Sequence, residues 1–116
     1  MANQTAPTIT KLDVLEKAGS QRLVVLGRIG DVVLAIDAVF TPEDREFGWG
    51  SDDEVEYHYC VRGSAHVQFK HGDQELPPIT VHAGEMLTIP AGVAHKGTRS
   101  DDNVMLIVER SKPWHV

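Results

Sequence analysis

The chain carries, between residues 84 and 95, the stretch Gly84-Glu85-Met86-Leu87-Thr88-Ile89-Pro90-Ala91-Gly92-Val93-Ala94-His95. A glycine suited to a turn precedes a short apolar run, and a Pro-Ala-Gly-Val turn then leads almost directly to a histidine. Because proline restricts its own φ angle to about −65°, the backbone entering this turn has little freedom. The stretch predicts the rim of a small β-barrel, with His95 held in one position.

The remaining sequence also has the pattern of a β protein. From Arg22 onwards, short runs of β-branched residues alternate with Gly, Pro and Asp, which is typical of an all-β sandwich or barrel. Strands are predicted at residues 23–26, 32–40, 54–62, 65–70, 79–81, 86–89, 94–99 and 104–108. Residues 41–51 are predicted to form a polar loop, and Pro77-Pro78 an extended segment before the next strand.

Length and composition indicate a single folded domain. The 116 residues are 41% hydrophobic and 24% charged, which is the composition of a globular chain. We expect residues 1–20 to form an N-terminal tail, with a short helix at 11–18 that ends before Gly19. Residues 21–116 are predicted to form one barrel domain.

The charge balance limits the classes of partner. Eleven basic and seventeen acidic residues give a net charge of −6, which argues against a nucleic-acid groove or an anionic membrane surface. We therefore expect a small-molecule ligand, with neither nucleic acid nor membrane as partner.

The same sequence predicts a cytoplasmic location. No apolar run approaches the roughly 20 residues of a membrane span, and the first seven residues lack the basic and apolar regions of a signal peptide. Cys60 is the single cysteine, so it can form neither an internal disulfide nor a cysteine metal cage. A single thiol agrees with a reducing compartment.

Two motifs resemble those of the cupin superfamily. Gly84-x5-Pro90-x-Gly92-x2-His95 looks like the second conserved motif of that family, and Glu56-x6-Gly63 looks like the second half of the first. Their order and spacing are also similar to those of single-domain cupins, and the resemblance extends over residues 32–108. It implies an antiparallel jelly-roll β-barrel, usually a homodimer, with a ligand pocket in its mouth.

The resemblance also implies a metal site, for which only half of the usual ligands are present. In the family, a first motif G-x5-H-x-H-x3-4-E-x6-G and the histidine of the second motif hold a divalent metal. Glu56 and His95 occupy matching positions, whereas the H-x-H pair is replaced by Gly50 and Asp52, or by Trp49 and Ser51. Arg99 stands where the second motif ends in asparagine.

Strand periodicity suggests a replacement for the missing histidines. Residues two apart in a strand point to one face, so Glu56, His58 and Cys60 share the face of the motif glutamate. With His95 arriving from a facing strand, Glu56 and His58 would form a facial triad suited to iron(II), manganese, zinc or nickel. The alternative is a hydrogen-bonded polar pair without a metal, because a buried polar group requires a partner.

The remaining pocket candidates each have two interpretations. Trp49 forms either an aromatic lid or part of the core. Arg99 contacts either an anionic substrate or a protein carboxylate, and Cys60 is a small buried apolar residue. Asp52 either supplies a carboxylate ligand or belongs to a solvated loop.

Two functions from different classes follow from these residues. The first is a metal-dependent enzyme of the isomerase, lyase or ring-cleaving dioxygenase type, as the resemblance implies. The second is a metal-free cupin that binds or senses a small molecule without catalysis. The sequence leaves open which of them applies, and so whether the chain is an enzyme.

Overall fold

The computed structural model of the chain describes residues 6–110. Two antiparallel sheets face one another. The five-stranded sheet has the order β1 (Leu23–Ile29), β2 (Val32–Ala38), β9 (Val104–Arg110), β4 (Glu56–Arg62) and β7 (Met86–Ile89). The four-stranded sheet has the order β3 (Glu46–Gly50), β8 (Ala94–Arg99), β5 (Ser64–His71) and β6 (Gln74–His82). The predicted all-β antiparallel jelly roll is confirmed.

The N-terminal region contains one short helix, α1 (Val14–Ala18), whose first turn is capped by the side chain of Asp13. Residues 1–5 of the predicted tail and residues 111–116 of the predicted barrel domain lie outside the described residues. Within the described part of the chain, no helix is long and apolar enough to cross a membrane.

The prediction of a loop at residues 41–51 is wrong, because these residues contain a 3₁₀ helix (Pro42–Arg45) and strand β3. Two glycines in the five residues of β3 hide its strand character, since glycine has low β propensity. Pairing with β8 supplies the order that the local sequence lacks.

Strand β6 also differs from its prediction, because it runs without interruption through Pro77 and Pro78. It is an edge strand of the four-stranded sheet, where a missing backbone N–H group costs little. A register shift in the β5–β6 ladder, between Val67 and Phe69, accommodates the two prolines.

The main core lies between the two sheets. Its buried residues come from the inward faces of both: Val33, Ala35, Cys60, Ala65, Val67, Phe69, Val81, Leu87, Ile89, Val93, Met105 and Ile107. A second, smaller cluster lies on the outer face of the five-stranded sheet, where Ala18 of α1 packs against Ile36, Ala38 and Val104. The helix therefore covers one end of that outer face.

Gly97, on β8, is located at the closest approach of three strands. It pairs with Phe47 of β3 on one side and with Val67 of β5 on the other. A Cβ atom at this position would lie 2.1 Å from the carbonyl oxygen of His66 and 3.1 Å from the Phe47 ring. The four-stranded sheet thus depends on a residue without a side chain at this position.

We expect Gly97→Ala to lower the free energy of unfolding by about 1–3 kcal/mol, because backbone atoms of β5 must move to admit the methyl group. Gly27→Ala is the matched control, since nothing lies within 4 Å of a Cβ atom at Gly27, another strand glycine. Chemical denaturation of both variants measures the effect. Equal stability of the two would contradict the close packing at Gly97.

Candidate metal centre

Glu56 and His58 are placed by strand β4, which lies between β9 and β7 in the five-stranded sheet. Alternation along the strand turns both side chains towards the interior, while Tyr57 and Tyr59 point outwards and are exposed. The side chain of Glu56 is only 1% exposed. The carboxylate is therefore removed from water and needs compensating partners.

His95 reaches the same region from the facing sheet. It is the second residue of β8, directly after the turn at Pro90–Val93. Gly92 adopts a φ of 80° in this turn, and its N–H donates to the carbonyl oxygen of Asp52 at 2.6 Å. The Phe47 ring packs edge-on against the imidazole, with ring centroids 6.0 Å apart. The turn and this aromatic contact together position His95.

The three side chains converge on one point. Nε2 of His58 lies 3.1 Å from Oε1 of Glu56, at hydrogen-bonding distance. Nδ1 of His95 lies 3.9 Å from Oε2 of the same carboxylate, and the two imidazole rings are nearly perpendicular, with centroids 5.9 Å apart. One ligand atom from each of the three residues lies within 4.8 Å of the others.

Glu109 belongs to the same cluster, although the sequence analysis did not identify it. Its side chain is buried, and the pairing of β9 with β4 places it beside Glu56, whose carboxyl pKa it helps to lower. A signal for it was present in the sequence, because Met105, Ile107 and Glu109 alternate along β9 and so share a face. An acidic residue in phase with two apolar ones indicates a buried carboxylate.

The electrostatics of the cluster favour the ionised form of Glu56. Burial raises the pKa of this carboxyl group, but several interactions outweigh burial and lower it to about 2. They are the hydrogen bonds with His58 and Glu109 and the electrostatic attraction of His95 and His58. Glu56 is therefore an anion at neutral pH.

The donor set fits a divalent transition metal. Two imidazoles and a carboxylate on one face are a known ligand set for such ions, and they leave further positions open. Adjacent ligands around an ion at roughly 2.1 Å are about 3 Å apart, so small side-chain rotations would bring the three residues to coordination distance. Asp52 lies outside this group of three, and its Oδ1 accepts the N–H of Glu54.

A cavity of about 440 Å³ adjoins the cluster. His58, His95 and Glu109 line one end, and Arg22, Asp37 and Arg99 line the other. Most of the wall between the ends is apolar: Phe47, Ala65, Val67, Leu87, Ile89 and Met105. The cavity can therefore hold a small, largely apolar molecule with a polar atom at the histidine end.

The predicted pocket residues occupy different parts of this region. Four of the six line the cavity: Trp49, His58, His95 and Arg99. Glu56 and Cys60 are buried and are not part of the lining. Burial raises the pKa of the Cys60 thiol, whose Sγ contacts the carbonyl oxygens of Arg62 and Gly63.

Trp49 interacts with two lysines at the outside of the barrel. Nζ of Lys70 lies 4.3 Å, and Nζ of Lys96 4.9 Å, from the centre of the indole ring. Both lysines alternate out of phase with residues that face the interior, Phe69 and His95. Trp49 therefore lines the cavity and also has its ring in contact with lysines of β5 and β8.

Arg99 is bonded to protein groups at the far end of the cavity. Its Nη1 and Nη2 donate to Oδ1 and the backbone oxygen of Asp37, both at 2.8 Å, and its Nε donates to Oδ1 of Asn103 at 2.7 Å. The arginine side chain is only 6% exposed. Asp37 is on β2 and Arg99 on β8, so this pair connects the two sheets.

Solved structures with the same architecture are known. No protein-family model matches the chain, and no curated protein has a matching sequence. A cupin-2 domain containing protein from Shewanella frigidimarina is 28% identical, with a TM-score of 0.57 over 76% of this chain and 78% of the other. The Shewanella protein thus shares its fold and a recognisable fraction of its sequence with this chain.

Two hydroquinone 1,2-dioxygenases are more similar in shape and less similar in sequence. PnpCD, solved with Cd²⁺ and 4-hydroxybenzonitrile, is 16% identical, with a TM-score of 0.74 over 97% of this chain and 84% of the other. The enzyme from Sphingomonas sp. TTNP3, solved with 4-hydroxybenzoate, is also 16% identical, with a TM-score of 0.71 over 95% and 85%. At this identity the likeness concerns the fold.

We expect Arg99→Met to lower the free energy of unfolding by about 3 kcal/mol, because it leaves the partly buried Asp37 carboxylate with only the more distant Arg22, at 3.9 Å, as a cation. Arg45→Met is the matched control, since Arg45 pairs with Asp101 at an exposed site and should change stability by about 0.5 kcal/mol or less. Urea unfolding monitored by fluorescence measures both. A loss no larger for Arg99→Met than for Arg45→Met would show that Arg99 has no structural role.

Proposed function

We propose that this chain, a member of the cupin superfamily, binds a small molecule at a divalent transition metal held by Glu56, His58 and His95. The convergence of these three side chains, of which His58 and His95 line one end of the cavity, carries the proposal. Iron(II), manganese, zinc and nickel are the candidate metals. The residues come from both sheets, so the site depends on the folded barrel.

The ligand set favours oxygen-dependent chemistry over isomerase or lyase chemistry. Two histidines and one carboxylate with open positions are the ligand set of non-haem iron(II) oxygenases, where the metal brings dioxygen and substrate together. The apolar wall around Leu87, Ile89 and Met105 keeps water away from the reacting atoms. Glu56, as an anion, supplies the negative charge that a divalent cation requires.

A small phenolic or enolic compound is the substrate class that we propose. The cavity wall between the polar ends is mainly apolar and includes the Phe47 ring, which suits a flat, weakly polar molecule. The hydroquinone 1,2-dioxygenases described above have the same fold and hold molecules of this kind. The proposed reaction is dioxygenation of such a ring.

A metal-free binding protein is the second candidate function. One observation favours it: the hydrogen bond of 3.1 Å between His58 and Glu56 gives both groups a partner without a metal. In that case Glu56, His58 and His95 would bind the polar atoms of a ligand directly. A metal analysis separates the two candidates.

The wild-type protein, purified without an affinity tag and supplied with iron(II), should bind one metal ion per chain and consume oxygen with small phenols. His58→Ala and His95→Ala should each weaken metal binding by more than about 100-fold, because each removes a ligand. Elemental analysis after gel filtration measures the metal, and an oxygen electrode measures uptake.

His66→Ala is the control, since His66 is exposed and bonded to Thr80, and it should keep both metal and oxygen uptake. Metal retained in His58→Ala would contradict the proposed triad. No metal bound by the wild-type protein under any loading condition would favour the metal-free candidate.

We also propose a homodimer formed through the outer face of the five-stranded sheet. Beyond the end that α1 covers, this face carries a continuous apolar patch across four strands. Its members are Leu34, Tyr57, Tyr59, Met86, Leu106 and Val108, which lie side by side in the strand registers. Four of them are between 38% and 59% exposed, which is unusual for neighbouring large apolar residues.

A cytoplasmic location is part of the same proposal. The single cysteine, Cys60, is a free thiol buried in the core, which fits a reducing compartment.

Tyr59→Asp should convert the proposed dimer into a monomer, because it places a charge at the centre of the apolar patch. Ile79→Asp is the control, since Ile79 is similarly exposed on β6 of the other sheet and should leave the dimer intact. Sedimentation equilibrium measures the mass of each. A wild-type protein that stays monomeric throughout the accessible concentration range would contradict the dimer.

A further inference from the structure

Glu56 and Glu109 are directly opposite one another on neighbouring strands. β4 and β9 pair with Tyr57 opposite Val108 and with His58 opposite Ile107. Continuing this register by one residue brings Glu56 opposite Glu109. Both side chains point to the interior, and the two residues are 1% and 6% exposed.

Two buried carboxyl groups that face one another need a proton or a cation between them. Like charges directly opposite on paired strands destabilise a sheet, and burial increases the cost because water does not screen them. Surface acidic clusters avoid this cost through solvation, but these two carboxylates are enclosed by the barrel. A bound cation between them would turn an unfavourable pair into a favourable one.

The position of Glu109 matches that of the proposed ligands. It lines the same end of the cavity as His58 and His95, and it lies opposite Glu56 on the neighbouring strand. The four residues therefore lie beside one end of the cavity, on β4, β8 and β9. Glu109 lies outside the group of three close ligand atoms, so its side chain would have to rotate to reach the metal.

We propose that Glu109 is a fourth protein ligand of the metal, so that the site consists of two imidazoles and two carboxylates. This inference rests on the metal-dependent function proposed above. A second carboxylate makes the ligand set harder, which favours iron(II) and manganese(II) over softer or more thiophilic ions. The two carboxylates together carry two negative charges, which balance the charge of a divalent ion.

Two substitutions test the role of Glu109. Glu109→Gln keeps the shape of the side chain but removes its charge, and it should weaken manganese(II) binding by at least about 100-fold. Glu109→His supplies a different ligand atom, so it should bind metal and add a third coordinated imidazole. Isothermal titration with manganese(II) measures affinity, and pulsed electron paramagnetic resonance of the manganese(II) form counts the histidine nitrogens.

Glu75→Gln is the control, because Glu75 is an exposed acidic residue on β6 and should bind manganese(II) like the wild type. Circular dichroism establishes that each variant is folded, and Glu109→His carries the test if Glu109→Gln does not fold. Three coordinated imidazoles in Glu109→His, against two in the wild type, support the proposal.

Two results overturn the proposal. One is a loss of affinity below about 100-fold in Glu109→Gln, the range expected for a residue that only orients a ligand. The other is a count of two imidazoles in metal-bound Glu109→His. Either result leaves Glu109 as a residue that positions Glu56. Failure of the wild-type protein to bind manganese(II) or iron(II) would instead refute the underlying metal function. The two failures are therefore distinguishable.

Discussion

The burial of the Glu56 carboxylate is the constraint on which the rest of the site depends. An anion enclosed by a barrel is costly unless neighbouring groups compensate for its lost hydration. Strand β4 lies inside the five-stranded sheet, and the side chain of Glu56 points to the barrel interior, where the carboxylate is almost fully buried. Its partners consequently come from its own strand, from the neighbouring strand β9 and from the facing sheet.

Strand β8 extends from one end of the cavity to the other. His95 and Arg99 are four residues apart on it, which corresponds to about 13 Å along a strand. Both line the cavity, so β8 sets the distance between its polar ends. His95 approaches Glu56 at one end and Arg99 binds Asp37 at the other, and both contacts connect the two sheets. Polar contacts between the two sheets thus flank the apolar wall of the cavity at both ends.

Much of the fold follows from local sequence. Strands such as β2 and β9 are visible because they are nearly continuous apolar runs of strand length. The glycine-rich β3 is not visible, since its order comes from pairing with β8. The continuity of β6 through two prolines also escapes a local reading, because only its edge position makes the missing N–H groups tolerable.

The sequence by itself determined the fold class, through short β-branched runs separated by turn residues. It also determined which side chains within one strand share a face, because a strand has a period of two residues. It placed Glu56 and His58 together, and it singled out His95 through the turn before it. Only the tertiary structure decided that Glu109 lies opposite Glu56 and that Asp37 is the partner of Arg99. Strand order and register depend on the packing of the whole barrel, and residues far apart in the chain carry no local signal of their pairing.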